Sequence, residues 1–173
     1  VRGRRPVHLY WALLALAVLG VTFWLDYRAG LFAPEEADRP DLISGQARVI
    51  DGDSLRVAGH EIRLKGIDAF EYRQTCGVLR CGADAYLYLK KLADGKVVTC
   101  EDEGRDRYQR TLAYCRTEAG DLGQAMIEAG LAVRYYDEAG RYGRSEREAR
   151  HEERGAWAYA FTPPSDYRRQ QKR

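Results

Sequence analysis

Histidine, cysteine and an excess of charge of one sign are scarce in this 173-residue chain. Its three histidines, His8, His60 and His151, are scattered across unrelated segments, and none is assigned a catalytic role. The 28 Lys and Arg are nearly cancelled by 26 Asp and Glu, a net charge of +2, and bulk electrostatics gives no argument for nucleic-acid binding. Residues 44–161 are balanced too, with 19 basic and 20 acidic side chains. The excess positive charge sits in the flanks, at Arg2, Arg4 and Arg5 and at Arg168, Arg169, Lys172 and Arg173. Four cysteines, Cys76, Cys81, Cys100 and Cys115, do not have zinc-knuckle spacing, and no histidine is near enough to complete a site. Two disulfides in an oxidising compartment are the better reading. Cys76 with Cys81 would close a small loop, and Cys100 with Cys115 would link two strands; two other pairings stay open.

An uncharged apolar run from Val7 to Leu25 follows three arginines, with Tyr10, Trp11, Trp24 and Tyr27 at its ends. A helix of roughly 17–25 such residues spans a bilayer, with aromatics at the interfaces. The expectation is a single-pass anchor with residues 1–6 cytoplasmic and the rest extracytoplasmic, periplasmic or extracellular. Secretion after signal cleavage is the alternative, although Leu31-Phe32-Ala33 makes a poor cleavage site. Residues 26–41 read as a linker, 42–161 as the globular domain and 162–173 as a basic tail, most simply a disordered end.

The domain is organised around VIDGDSLRVAGHEIRLKGIDAFE, Val49 to Glu71. Alternation predicts strands over residues 43–50, 54–57, 61–67, 96–101 and 110–116, with a polar turn from Asp102 to Gln109. Helical spacing runs from Gly77 to Asp94, stopped by Gly95; Asp121 caps a helix to Ala129, and a charged helix covers about Ser145 to Arg154. The charges of that last helix read as a solvated face with i,i+4 pairs. The predicted fold is α+β, mainly β: a five-stranded OB-type barrel with about three helices. The hairpin concentrates Asp51, Asp53, Asp68 and Glu71 beside Arg63 and Lys65, a density of like charge that calls for a cation among the acids.

Five separated pieces, VIDGDS, RLKGIDAFE, DRYQRTLAY, GLAVRYY and EARHEERGAW, occur in the order in which the staphylococcal nuclease (thermonuclease) family carries similar ones. The chain resembles that family over most of residues 44–159. The resemblance implies an OB-barrel, calcium-dependent endonuclease that cleaves DNA and/or RNA with little sequence preference and leaves 3′-phosphates. It implies Asp53 and Asp68 as calcium ligands, with Ala69 through its carbonyl and Asp51 in an outer role. It implies Arg63 and Arg110 as phosphate-contacting guanidiniums and Glu71 as the acid that activates water. Two positions depart from the pattern: Phe70 stands where proline is usual, which removes a φ restraint before Glu71, and Gln109 replaces a glycine before Arg110.

The residue types suit the chemistry. Guanidiniums give paired hydrogen bonds to phosphoryl oxygens as charge develops, and a carboxylate can accept a proton from water. Arg107, Tyr108 and Tyr136 are expected to contact or stack on the nucleotide. A monomer with no protein partner is expected. The competing class is a non-catalytic OB-fold module that holds nucleic acid or protein.

Overall fold

The computed structural model describes residues 16–25, 27 and 41–172. The chain divides into two compact units, Val1–Arg39 and Pro40–Arg173. In the first, residues 16–25 are helical, with Leu16, Leu19, Phe23 and Trp24 exposed. Among the described residues no helix is long and apolar enough to cross a membrane. Residues 7–15 of the expected anchor, and nearly all of the linker, lie outside them.

The second unit is a barrel. Strand β1 (Leu42–Val49) runs antiparallel between β2 (Ser54–Val57) and β5 (Val97–Arg105). β2 turns through Ala58 and Gly59, both at positive φ, into β3 (His60–Leu64). β5 pairs with β6 (Thr111–Thr117), and β6 closes the barrel by pairing parallel with β3. Alternation along these strands sends Leu55, Val57, Ile62, Leu64, Val98 and Ala113 into one core. β7 (Gly120–Asp121) extends the sheet from β6.

Helix α1 (Cys81–Ala93) lays Ala85, Leu89 and Ala93, spaced by four, onto that core. Asp121 caps α2 (Leu122–Glu128), accepting the Gln124 N–H at 2.8 Å. Helix α3 (Gly143–His151) packs against α2. A 3-10 turn (Gly155–Ala158) and helix α4 (Pro164–Gln171) end the described chain. A smaller core of Phe70, Cys76, Cys81 and Ala156 lies beside the main one. Both expected disulfides, Cys76–Cys81 and Cys100–Cys115, are formed.

Several expected boundaries move, each for a local reason. The strand expected over 61–67 breaks at Gly66 (φ 84°), and Ile67–Ala69 becomes a separate strand, β4, paired with β8 (Ala132–Arg134). The barrel's five strands are therefore accompanied by three short ones. α1 begins at Cys81 rather than Gly77, because residues 76–79 close a bridge inside the disulfide loop. β5 extends to Arg105 and β6 begins at Thr111, leaving only residues 106–110 between them. The charged helix ends at His151 and is only partly solvated. Arg144–Glu148 and Glu146–Arg150 form the expected i,i+4 pairs, but Glu146 is buried and accepts the Arg134 N–H at 2.9 Å. The tail is not a disordered end: the eight residues past Pro163 form helix α4, whose Arg168 reaches the barrel.

Candidate active site

The acidic hairpin reaches its geometry through close backbone approach. A Cβ on Gly52 would lie 2.8 Å from the Cβ of Ala69 and 3.2 Å from that of Ala85, so only glycine lets residues 51–53 pass between β4 and α1. Asp51 accepts the Asp53 N–H at 3.0 Å. Asp53 in turn accepts the Ala69 N–H at 2.9 Å and the Ser54 hydroxyl at 3.1 Å. The mouth of β2 is thereby fastened to β4. Asp68, at the centre of β4 and opposite Val133 of β8, is wholly buried.

Arg63, on β3, points into this acidic mouth. It donates to Asp68 Oδ1 at 2.8 Å and to the Ile67 carbonyl at 3.3 Å, and it pairs with Asp53. Burial draws its pKa below the ordinary arginine value, and Asp68 offsets that only in part. The parallel pairing of β3 with β6 sets Arg63 opposite Leu112, which brings Arg110, just before β6, to the same end of the barrel.

Arg110 is mounted on a tight turn. Asp106 accepts the N–H groups of Tyr108 (2.8 Å) and Arg110 (2.9 Å) and the Arg110 Nε–H (2.8 Å). Burial alone would raise the Asp106 pKa; these donors outweigh it and lower the value. Gln109 sits at φ 65°, the left-handed conformation that a glycine would adopt without strain. The departure from glycine therefore leaves the turn closed. Arg107 and Arg110 both lie over the Tyr108 ring, at 4.9 and 5.7 Å from its centroid.

Glu71 follows β4 and is held from behind. Its N–H donates to Gln74 Oε1 at 3.2 Å, and the Gln74 N–H donates to the Glu71 carbonyl at 2.6 Å. The Gln74 amide donates onward to the Thr162 carbonyl at 2.6 Å. A Cβ on Gly82 would fall 1.7 Å from the Glu71 carbonyl oxygen, so the start of α1 closes directly on this segment. Phe70 supplies a different restraint from the proline it replaces: it is buried and meets Phe161 edge-to-face at 5.1 Å.

One cavity of about 740 Å³ collects these groups. Asp51, Asp53, Arg63, Glu71, Arg107, Tyr108, Arg110 and Tyr136 all line it, together with Ala69. Asp68 is beneath its floor, bound to Arg63. Tyr136 is largely exposed and packs on Tyr135 at 4.4 Å. Three contributors were not singled out from the sequence for this site: Asp106, Gln74 and Arg168. Arg168 donates to both oxygens of Asp68, at 2.9 Å each, and to Glu71 Oε1 at 2.8 Å. Burial disfavours its charge, but the hydrogen bonds to Asp68 and Glu71 prevail and raise its pKa.

Hard carboxylate oxygens are the donor chemistry calcium takes. Their present arrangement is not a cage: Asp53 and Asp68 face Arg63, and Asp68 and Glu71 face Arg168. No group of three acidic, histidine or cysteine side chains among the described residues converges to hold an ion. With α4 docked, the set fits a metal in kind and not in placement.

Comparison with known proteins agrees with the geometry. A family model described as "Staphylococcal nuclease homologue" matches residues 61–159. The chain is 35% identical over 137 residues to the succinoglycan biosynthesis protein ExoI of Rhizobium meliloti, covering 75% of this chain and 72% of that protein. It is 32% identical over 133 residues to a protein of Haemophilus influenzae named as an uncharacterized endonuclease, covering 72% of each. A 38.1 kDa protein of Capnoides sempervirens is 28% identical over 134 residues, which is 38% of its length.

Proposed function

The chain belongs to the staphylococcal nuclease family, and from that premise we propose that it is an endonuclease hydrolysing phosphodiester bonds of DNA and/or RNA. The observation that carries the reading is the meeting of Arg63, Arg110 and Glu71 on one cavity, drawn from three separate strands or turns. A phosphodiester is anionic and resists a nucleophile, so a hydrolase must oppose its charge and align a water. Arg63 and Arg110 present guanidinium forks to the phosphoryl oxygens, where charge grows as water attacks. Glu71 accepts the proton that water loses as its oxygen bonds to phosphorus. The P–O5′ bond breaks, O5′ takes a proton from solvent and leaves as a 5′-hydroxyl, and the other fragment ends in a 3′-phosphate. Tyr108 and Tyr136 offer exposed rings on which bases stack without being read, consistent with low sequence preference.

Calcium is the cofactor this reading takes: Asp53, Asp68 and the Ala69 carbonyl would hold it, with Asp51 behind, and it would supply positive charge against the phosphate. The domain is extracytoplasmic in this account, and its two disulfides support that placement. Anchoring by residues 7–25 rests on their composition.

The test incubates the full chain with single-stranded DNA and RNA, in calcium and then in chelator. Calcium-dependent cleavage supports the enzyme. Retention of nucleic acid without cleavage in every condition assigns the chain to the binding-module class instead, a reading favoured by Arg168, which ties up the proton acceptor.

A further inference from the structure

The cation position of this site already holds a positive charge, and the chain itself supplies it. α4 is an eight-residue helix with only Pro164 buried, shorter than the roughly 12–15 residues an isolated helix needs in water. Just before it, the chain is fastened by the Phe161 ring against Phe70 and Trp157 and by the Gln74 bond to Thr162. Beyond that anchor, the polar bonds from α4 into the site are those of Arg168, whose fork takes both oxygens of buried Asp68 and one of Glu71.

The lone pairs decide the consequence. Asp68 Oδ1 accepts from Arg63 and Arg168, and Oδ2 accepts from Arg168. A divalent ion bound to Asp68 would need those oxygens and would stand beside a like-charged guanidinium. Glu71 Oε1 also accepts a hydrogen bond from Arg168, which competes with a water for that oxygen. We propose that Arg168 is a built-in competitor of the divalent cation: the guanidinium and the ion exclude each other, and α4 leaves the barrel when the ion binds. The proposal rests on the nuclease reading above, and it adds the residue that sets the site's cation affinity.

Calcium titration by calorimetry, without nucleic acid, compares the full chain with Arg168→Gln. Charge-assisted hydrogen bonds no longer need breaking in the variant, so it binds calcium about ten- to a hundredfold more tightly. Amide hydrogen exchange on the unmodified chain gives a second readout: calcium speeds exchange across residues 164–171. Equal or weaker calcium binding by Arg168→Gln overturns the competition, as does calcium binding that leaves exchange in α4 unchanged. If calcium binds equally to both proteins and both cleave nucleic acid, the nuclease reading stands and the competition falls. If neither protein binds calcium, the cation part of the nuclease reading falls and the competition with it.

Discussion

Replacing Asp106 probes how Arg110 is held without touching the groups that meet the phosphate. Its carboxylate accepts three N–H donors between 2.8 and 2.9 Å, two of them from Arg110. The site is partly solvated, so each charge-assisted bond contributes roughly 1 kcal/mol, and Asp106→Ala should cost about 2–3 kcal/mol. Asp106→Asn keeps an acceptor for the backbone but no charge for the guanidinium, so it should retain about half of that. Both variants leave the Arg110 guanidinium without its charged partner, and a misplacement on the order of 1 Å costs about 100-fold in rate. Urea unfolding gives the first quantity; single-turnover cleavage gives the second, with the loss in kcat rather than KM. Because folding lowers the Asp106 pKa, this stabilisation is present above the unfolded value of about 4 and lost as pH falls through the folded one. Asp106→Ala cleaving within twofold of the unmodified rate would refute the argument that the turn positions Arg110.

The other predictions concern the supports of the site. Phe70→Ala removes a buried ring and should cost about 3–4 kcal/mol in urea unfolding; Phe70→Leu should cost about 1 kcal/mol yet still slow cleavage, because the residue before Glu71 loses its contact with Phe161. Replacing Cys100 and Cys115 together by alanine opens a link across 15 residues between β5 and β6, and calorimetry should show a loss of about 3 kcal/mol. Asp137 accepts the N–H groups of Arg141 and Tyr142 and pairs with Arg134; burial would raise its pKa, yet these donors lower it. Its stabilisation therefore disappears only as pH falls through that lowered value, and Asp137→Asn should cost about 2 kcal/mol at neutral pH while flattening the acid limb of stability below about pH 4.

The barrel was legible because its strands alternate cleanly and its turns carry their own signals, such as Ala58-Gly59 and the Asp121 cap. The separated charged pieces carry the candidate residues, and the structure gathers them around one cavity. What the sequence concealed is long-range. Asp106 looks like one acid among several in a polar turn until its donors are seen. Gln74 ties residue 71 to residue 162, a link no local pattern encodes. α4 has no apolar stripe to announce a helix; only Pro164 at its first turn marks the start, and Arg168 is recognisable only by what it touches. Replacing proline by Phe70 removes a backbone restraint, whereas packing on Phe161 supplies one from outside.

The most direct measurement compares cleavage of single-stranded DNA in calcium by the unmodified chain, Glu71→Ser and Arg110→Ala, with circular dichroism confirming that each is folded. The account predicts that both variants keep the fold and lose at least about 100-fold in rate, as expected when a proton acceptor or a charge-stabilising donor is removed. Cleavage at an undiminished rate by both folded variants would contradict it.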